Sequence, residues 1–295
     1  MSESTTGRSK IKRKPRTDPA EVRRKTLVAA ERMVLSDGLM VSMDHISLEE
    51  IIAKAQVPRS AVHRMWPYKE DFFADLLVQL AKRTEASPSV FDPQTLRVAV
   101  DTLRENLHRL PTVEGRLSTL VEICRRGSMR NFEANLSRRS WHSYLVLSTA
   151  GMSFDDEVCS VVQSTLAVSE RNYIEGMALF YESIFPILGR RIRSPFRGSS
   201  RGHAGYMYLA EVCSSAIQGQ VLRAALMGED VQTDLKALTE EADPFNTGDR
   251  QPWNGPSLTF TSTVLAMTEP ELDFAYDRFV CLQKIEEIEN YIGQL

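Results

Sequence analysis

Glycine and proline are scarce in this chain of 295 residues, at 15 and 13. That disfavours a turn-rich all-β sandwich and excludes a low-complexity chain. No apolar run approaches the roughly 18 residues that a membrane-spanning helix needs, so no membrane partner is expected. The opening residues are Ser, Thr, Lys and Arg with no apolar stretch behind them, and a secretory signal peptide is therefore not expected. Cysteines stand only at 124, 159, 213 and 281, spaced 35, 54 and 68 residues apart. Neither a CxxC pair nor a disulfide framework can be drawn from them, so free thiols in a cytoplasmic protein are the expectation. The five histidines, at 45, 63, 108, 142 and 203, are equally scattered, and no metal or cofactor is expected. P-loop, G-x-G-x-x-G and H-E-x-x-H patterns are all absent.

What is present is an ordinary globular composition, 42% hydrophobic and 25% charged, in a length that suits two domains. The net charge of −3 conceals an asymmetry. Residues 1–83 hold 16 Lys and Arg against 11 Asp and Glu, whereas residues 84–295 hold 20 against 28. Arg8, Lys10, Lys12, Arg13, Lys14 and Arg16 form a run with no acid among them. Residues 1–17 read as a basic disordered arm suited to a polyanion.

After the arm the chain reads as helices. Asp18-Pro19-Ala20-Glu21 combines a cap, a proline for the first helical position and an acid for the first turn. Val22, Thr26, Ala29, Ala30, Met33 and Val34 then lie along one helical face. Ser47-Leu48-Glu49-Glu50 is a capping-box pattern opening a short helix through Ile51, Ile52 and Ala55. Val57-Pro58 breaks it, a third short helix runs from Arg59 to Trp66, and Pro67 ends that one. Lys69-Glu70-Asp71 opens a longer helix carrying Phe72, Phe73, Leu76, Leu77 and Leu80. Two short helices across a tight turn, bracketed by longer ones, make a helix-turn-helix pattern.

The run IIAKAQVPRSAVHRMWPYKEDFFADLL, residues 51–77, resembles the DNA-binding domain of TetR-type transcriptional regulators. Val57, Val62, Trp66, Pro67, Lys69 and Glu70 fit that family's pattern, as do Ala29, Ala30 and Gly38. Gln56 stands where the family's turn has glycine, Pro58 replaces a Ser or Thr, Ala61 a Thr and His63 a Tyr. The likeness spans roughly residues 20–83. It implies an all-α protein with a helix-turn-helix DNA-binding domain at 18–84 and a larger helical ligand-binding and dimerisation domain at 85–295. The implied function is a ligand-responsive repressor that binds a pseudo-palindromic operator as a homodimer, and not an enzyme. Arg59, Ser60 and Ala61 fall at the start of the third helix, where small or donor side chains reach base edges. Ser47, His63, Arg64, Tyr68 and Lys69 are placed to hold phosphates, Lys69 with the help of a helix N-terminus.

Beyond residue 84 the periodicity predicts helices from Asp92-Pro93 to Leu110 and over roughly 113–126, 131–149, 155–188 and 203–227. A final helix is expected from Thr268 to the end, its Ile285, Ile288 and Ile292 making an apolar stripe suited to a second subunit. Residues 190–202, with five arginines and no acid, and 243–257, with Pro, Gly, Asn and Asp, read as loops. Gly198-Ser199-Ser200-Arg201-Gly202 matches a nucleophile-elbow pattern but lacks the strand that such an elbow needs. Among the aromatics, Phe180, Tyr181, Tyr206 and Tyr208 read as core, and Trp141 with Tyr144 is assigned to the pocket of an unknown small-molecule effector. The acidic balance of this half argues against a strongly anionic ligand unless one placed arginine reverses it. Two rival readings stand beside the repressor, a non-specific or architectural DNA-binding protein and a helical enzyme.

Overall fold

The computed structural model describes residues 18–37, 47–86, 92–137, 147, 156–197, 203–236 and 240–294. The basic arm, Gly38, Trp141, Tyr144 and the segment 198–202 lie outside these. The protein is mostly helical, with ten α-helices among the described residues.

Four helices begin the fold: α1 (Pro19–Asp37), α2 (Leu48–Ala55), α3 (Arg59–Met65) and α4 (Lys69–Ala86). Asp18 starts α1 by accepting from the Ala20 amide at 3.1 Å, and Ser47 Oγ accepts from Glu50 N to cap α2. Their apolar faces close a first core around Val22, Ala30, Ile51, Val62, Phe72 and Leu76, all fully buried. Leu147, Val162 and Leu166 complete that core from later in the chain.

The remaining helices are α5 (Pro93–Glu105), α6 (Val113–Ser137), α7 (Asp156–Ile184), α8 (His203–Lys236), α9 (Gly255–Met267) and α10 (Arg278–Gln294). They surround a second core that takes Leu103, Leu120, Ile184, Leu188 and Leu209. Phe180, Tyr181 and Tyr206 belong to it as expected, with Tyr181 stacked on Phe185 at 5.6 Å, whereas Tyr208 is half exposed. Helix α7 contributes to both cores. Val162 and Leu166, on its first half, serve the first, and Ile174, Ala178 and Ile184, on its second half, serve the other.

Several boundaries depart from the sequence reading. Helix α6 runs unbroken past residue 126, and it accommodates buried Ser128 by satisfying the hydroxyl on the Cys124 carbonyl at 2.6 Å. Helix α9 occupies the end of the expected 243–257 loop and beyond, opened by a capping box between Asn254 and Ser257. Part of the Arg-rich segment is not a loop. Arg190–Ile192 forms strand β1, paired antiparallel with β2 (Thr268–Pro270). The residue before a proline is driven out of the α region, so Glu269-Pro270 favours strand over the expected helix start.

The last helix begins instead at Arg278, where Asp277 Oδ1 accepts from the amides of Phe279 and Val280 at 2.8 and 3.2 Å. Leu272 and Phe279, which continue the helical apolar spacing backward from Ile285, are 87% and 77% exposed. Ile285, Ile288 and Ile292 are buried within the chain, where α10 packs against α5. The Arg104–Glu289 ion pair, 2.7 Å at its second contact, ties the same two helices. The stripe expected to face a second subunit already has a partner. Ile285→Ala should therefore lower stability by about 2–5 kcal/mol through cavity formation. Its thermal midpoint should fall by the same amount at low and high protein concentration, whereas an intersubunit stripe would make the loss concentration-dependent.

Candidate nucleic-acid interface

Helix α3 is seven residues long, too short to persist alone, so its neighbours must hold it. Val62 is fully buried at its centre. At its end Trp66 turns into the core, 5.2 Å from Phe72 in an edge-to-face contact. The Trp66 indole donates to Asp75 Oδ2 at 2.8 Å. Arg23 on α1 grips both oxygens of the same carboxylate, at 2.8 and 3.2 Å. One side chain of α4 thus ties the end of α3 to α1.

The start of α3 is set by the turn before it. Gln56 adopts a left-handed conformation, φ 53° and ψ 43°, and its amide closes α2 onto the Ala53 carbonyl at 3.2 Å. Glycine adopts that conformation without strain, which is the physical reason for glycine at such turns. Pro58 then fixes the entry into α3 but offers no side-chain cap.

The exposed face assembled this way carries most of the expected site residues. Arg59, Ser60, His63 and Arg64 are exposed along α3, and Tyr68 is 71% exposed just beyond it. Lys69 is exposed at the start of α4 with its ammonium 5.0 Å from the centre of the Phe73 ring. Ser47 is exposed at the start of α2, and its oxygen already accepts the cap bond, leaving its O–H to donate outward. Ala61 differs from the rest, being half-buried against the first core.

A residue that sequence reasoning passed over also belongs to this face. Glu49 on α2 pairs with Arg59 at 2.7 Å and lies 3.5 Å from His63 Nε2. Ten positions separate Glu49 from Arg59, so no helical spacing reveals the pair. Only the turn brings them together.

Elsewhere among the described residues, a polar cleft of about 170 Å³ lies between the end of α5, α6 and the loop before α9. Its charges are matched. Asp249 takes Arg109 and the Ser118 hydroxyl, both at 2.6 Å, which hold its carboxyl below the ordinary range. Among the described residues, no three or more His, Cys, Asp or Glu side chains gather into a metal-binding group, and no helix is long and apolar enough to cross a membrane. No protein-family model matches the chain, and no curated protein matches it either.

Asp75→Ala strands the indole N–H of Trp66 and frees Arg23. It should cost about 1–3 kcal/mol, seen as a lower thermal midpoint. Asp75→Asn keeps an acceptor for the indole and should lose less. Equal losses from the two would mean that the hydrogen bond to Trp66 plays no part.

Proposed function

We propose that the protein is a sequence-specific transcriptional regulator of the TetR type, a helix-turn-helix DNA-binding domain joined to a larger helical ligand-binding and dimerisation domain. It acts in the cytoplasm as a homodimer on a pseudo-palindromic operator, and a small-molecule effector lowers its affinity there. The observation that carries this reading is the exposed polar face of α3. Arg59, Ser60 and Arg64 project from a short helix whose opposite side, Val62 and Trp66, is locked into a core. Such a helix can enter a major groove without unpacking anything. The left-handed Gln56 supports the same reading, since it meets the conformational need of the turn that the family meets with glycine.

Arg59 is the side chain we assign to base readout. In the free protein it is paired with Glu49, and the two side chains are 69% and 53% exposed. An exposed pair of this kind is worth about 0–1 kcal/mol. A bidentate contact to guanine contributes about 1–3 kcal/mol of discrimination, so the base wins the exchange. Lys69 has a different role, since a point charge at a helix N-terminus suits a phosphate, and phosphates look alike whatever the sequence. Ser47, His63, Arg64 and Tyr68 hold backbone with it.

The effector is placed in the second half of the chain. A change of packing in the second core has a direct route to the first, because α7 supplies side chains to both and packs along α4. The subunit contact uses residues other than Ile285, Ile288 and Ile292, which are engaged within the chain.

Competition binding with operator variants at two salt concentrations tests the assignment. Arg59→Ala should cost about 1–3 kcal/mol on the operator and relax preference at one base position per half-site. Lys69→Ala should weaken operator and random duplex alike, with a salt slope shallower by about one unit per contact. Glu49→Gln should bind the operator up to roughly fivefold tighter, with a smaller gain on random duplex, since it releases Arg59 from a competitor worth at most about 1 kcal/mol. If Arg59→Ala lowered affinity equally on every sequence, α3 would not read bases, and a non-specific DNA-binding protein would be the better description.

A further inference from the structure

Arginines crowd the two-stranded sheet although residues 84–295 carry more acid than base, 28 against 20. Arg190 and Arg191 lie on β1, Arg193 and Arg197 just past it, and Arg116 of α6 reaches the turn at Gly189 before it. Among the described residues, the carboxylate that pairs with them, Glu269 on β2, is taken by Arg191 at 3.1 Å and Arg197 at 3.6 Å.

Arg190 and Arg193 are left with a neutral acceptor. Arg190 is 8% exposed, and its Nη2 donates to the Thr268 carbonyl at 3.2 Å and to Thr268 Oγ1 at 2.9 Å. Its Nε is buried and meets no acceptor among the described residues. Arg193 is exposed and donates from Nε to the same Thr268 carbonyl at 3.0 Å. Two guanidinium groups therefore converge on one uncharged oxygen, one from the interior and one from the surface. Glu269 acts on Arg190 as a charge without a hydrogen bond, and burial together with Arg193 outweighs it and lowers the affinity of Arg190 for its proton. The Cys124 thiol supplies no counter-charge, because burial pushes it up to about 12 and keeps it protonated. Arg116, 9% exposed, lies on the face of Phe274 at 4.6 Å and donates to the carbonyls of Leu110 and Pro111. It gives Arg190 no relief.

Buried charge is ordinarily paired, and a pair of like charges with one partly desolvated is unfavourable until an anion joins them. An anionic oxygen is a stronger acceptor than a shared carbonyl, and guanidinium donors match carboxylate and phosphate geometry. We propose that Arg190 and Arg193 form a binding site for an oxyanion, the carboxylate or phosphate group of a small ligand. One ligand oxygen replaces the Thr268 carbonyl between the two guanidinium groups, and the free Arg190 Nε–H provides a further donor. The Thr268 hydroxyl, which donates to the Val264 carbonyl at 2.7 Å, keeps its contact with Arg190 Nη2. The site goes beyond the regulator reading and stands without it, because its evidence and its test involve no DNA. If that reading also holds, this is the placed arginine pair that makes an anionic effector compatible with an acidic domain.

Thermal unfolding of the full chain provides the test, with sodium phosphate and sodium benzoate as separate probes and ionic strength balanced by sodium chloride. The midpoint should rise with dose for at least one probe, by roughly 2–4 °C at ten times its dissociation constant. A response to phosphate alone assigns a phosphorylated ligand, and a response to benzoate alone assigns a carboxylic acid. Arg193→Gln, at an exposed position, should keep the ligand-free midpoint and lose the rise. Arg190→Met should also lose the rise, with a ligand-free midpoint equal to or above that of the parent because a buried unpaired charge is gone. A rise no greater than with chloride for both probes would overturn the site, as would an undiminished rise in Arg193→Gln. If Arg190→Met does not fold, Arg193→Gln alone decides between these outcomes.

Discussion

The carboxylate of Asp75 is the polar contact that joins three of the first four helices, α1, α3 and α4. It accepts from the Trp66 indole and from Arg23, so one group on α4 fixes both the end of α3 and the position of α1. Helix α3 has a single fully buried side chain, Val62, and seven residues cannot sustain a helix without such support. With the inner side anchored, the outer side is free to carry Arg59, Ser60 and Arg64 in a fixed array. Orientation, more than charge, is what a base-reading helix requires.

The two arginine groups of the protein obey different electrostatics. Arg59 is exposed and paired with an exposed Glu49, an interaction that water weakens and a better partner can displace. Arg190 is buried beside Arg193 without a hydrogen-bonded carboxylate, and water cannot screen that arrangement well. The first is suited to exchange one partner for another at little cost. The second is suited to retain an anion. Helix α7 lies between the two regions in the fold, with side chains in both cores.

Much of the first half was legible because its signals are local. Asp18, Ser47 and Pro58 act within four residues of themselves, and the apolar positions of α1, α2 and α4 repeat at helical spacing. The exposure of Arg59, Ser60, His63 and Arg64 along α3 followed from the same spacing, whereas Ala61 is half turned into the core. Glu49 was not legible, since its pairing with Arg59 depends on how the turn at Gln56 folds α3 back toward α2. In the second half the errors share one cause. Strand β1 exists only because β2 lies beside it, and two three-residue strands far apart in sequence leave no periodicity to read. Helix α10 misled for a related reason. Its apolar steps continue backward through Leu272, but Asp277 supplies the cap and Pro270 belongs to the strand, so the helix starts later than the pattern does. The isoleucines at 285, 288 and 292 were correctly read as one face, and which surface they meet depends on α5, distant in sequence.

As a base-reading element, α3 would distinguish one DNA sequence from another. The most direct measurement of this is to select duplex fragments bound by the full-length protein from the source genome, then compare the recovered fragment with random duplex of equal length at physiological salt. The account predicts a recovered sequence with two inverted half-sites whose centres lie about one helical turn apart, or a multiple of that. It also predicts a preference over random duplex of roughly a thousandfold or more. Recovery of unrelated fragments with affinities within about tenfold of random duplex would contradict it.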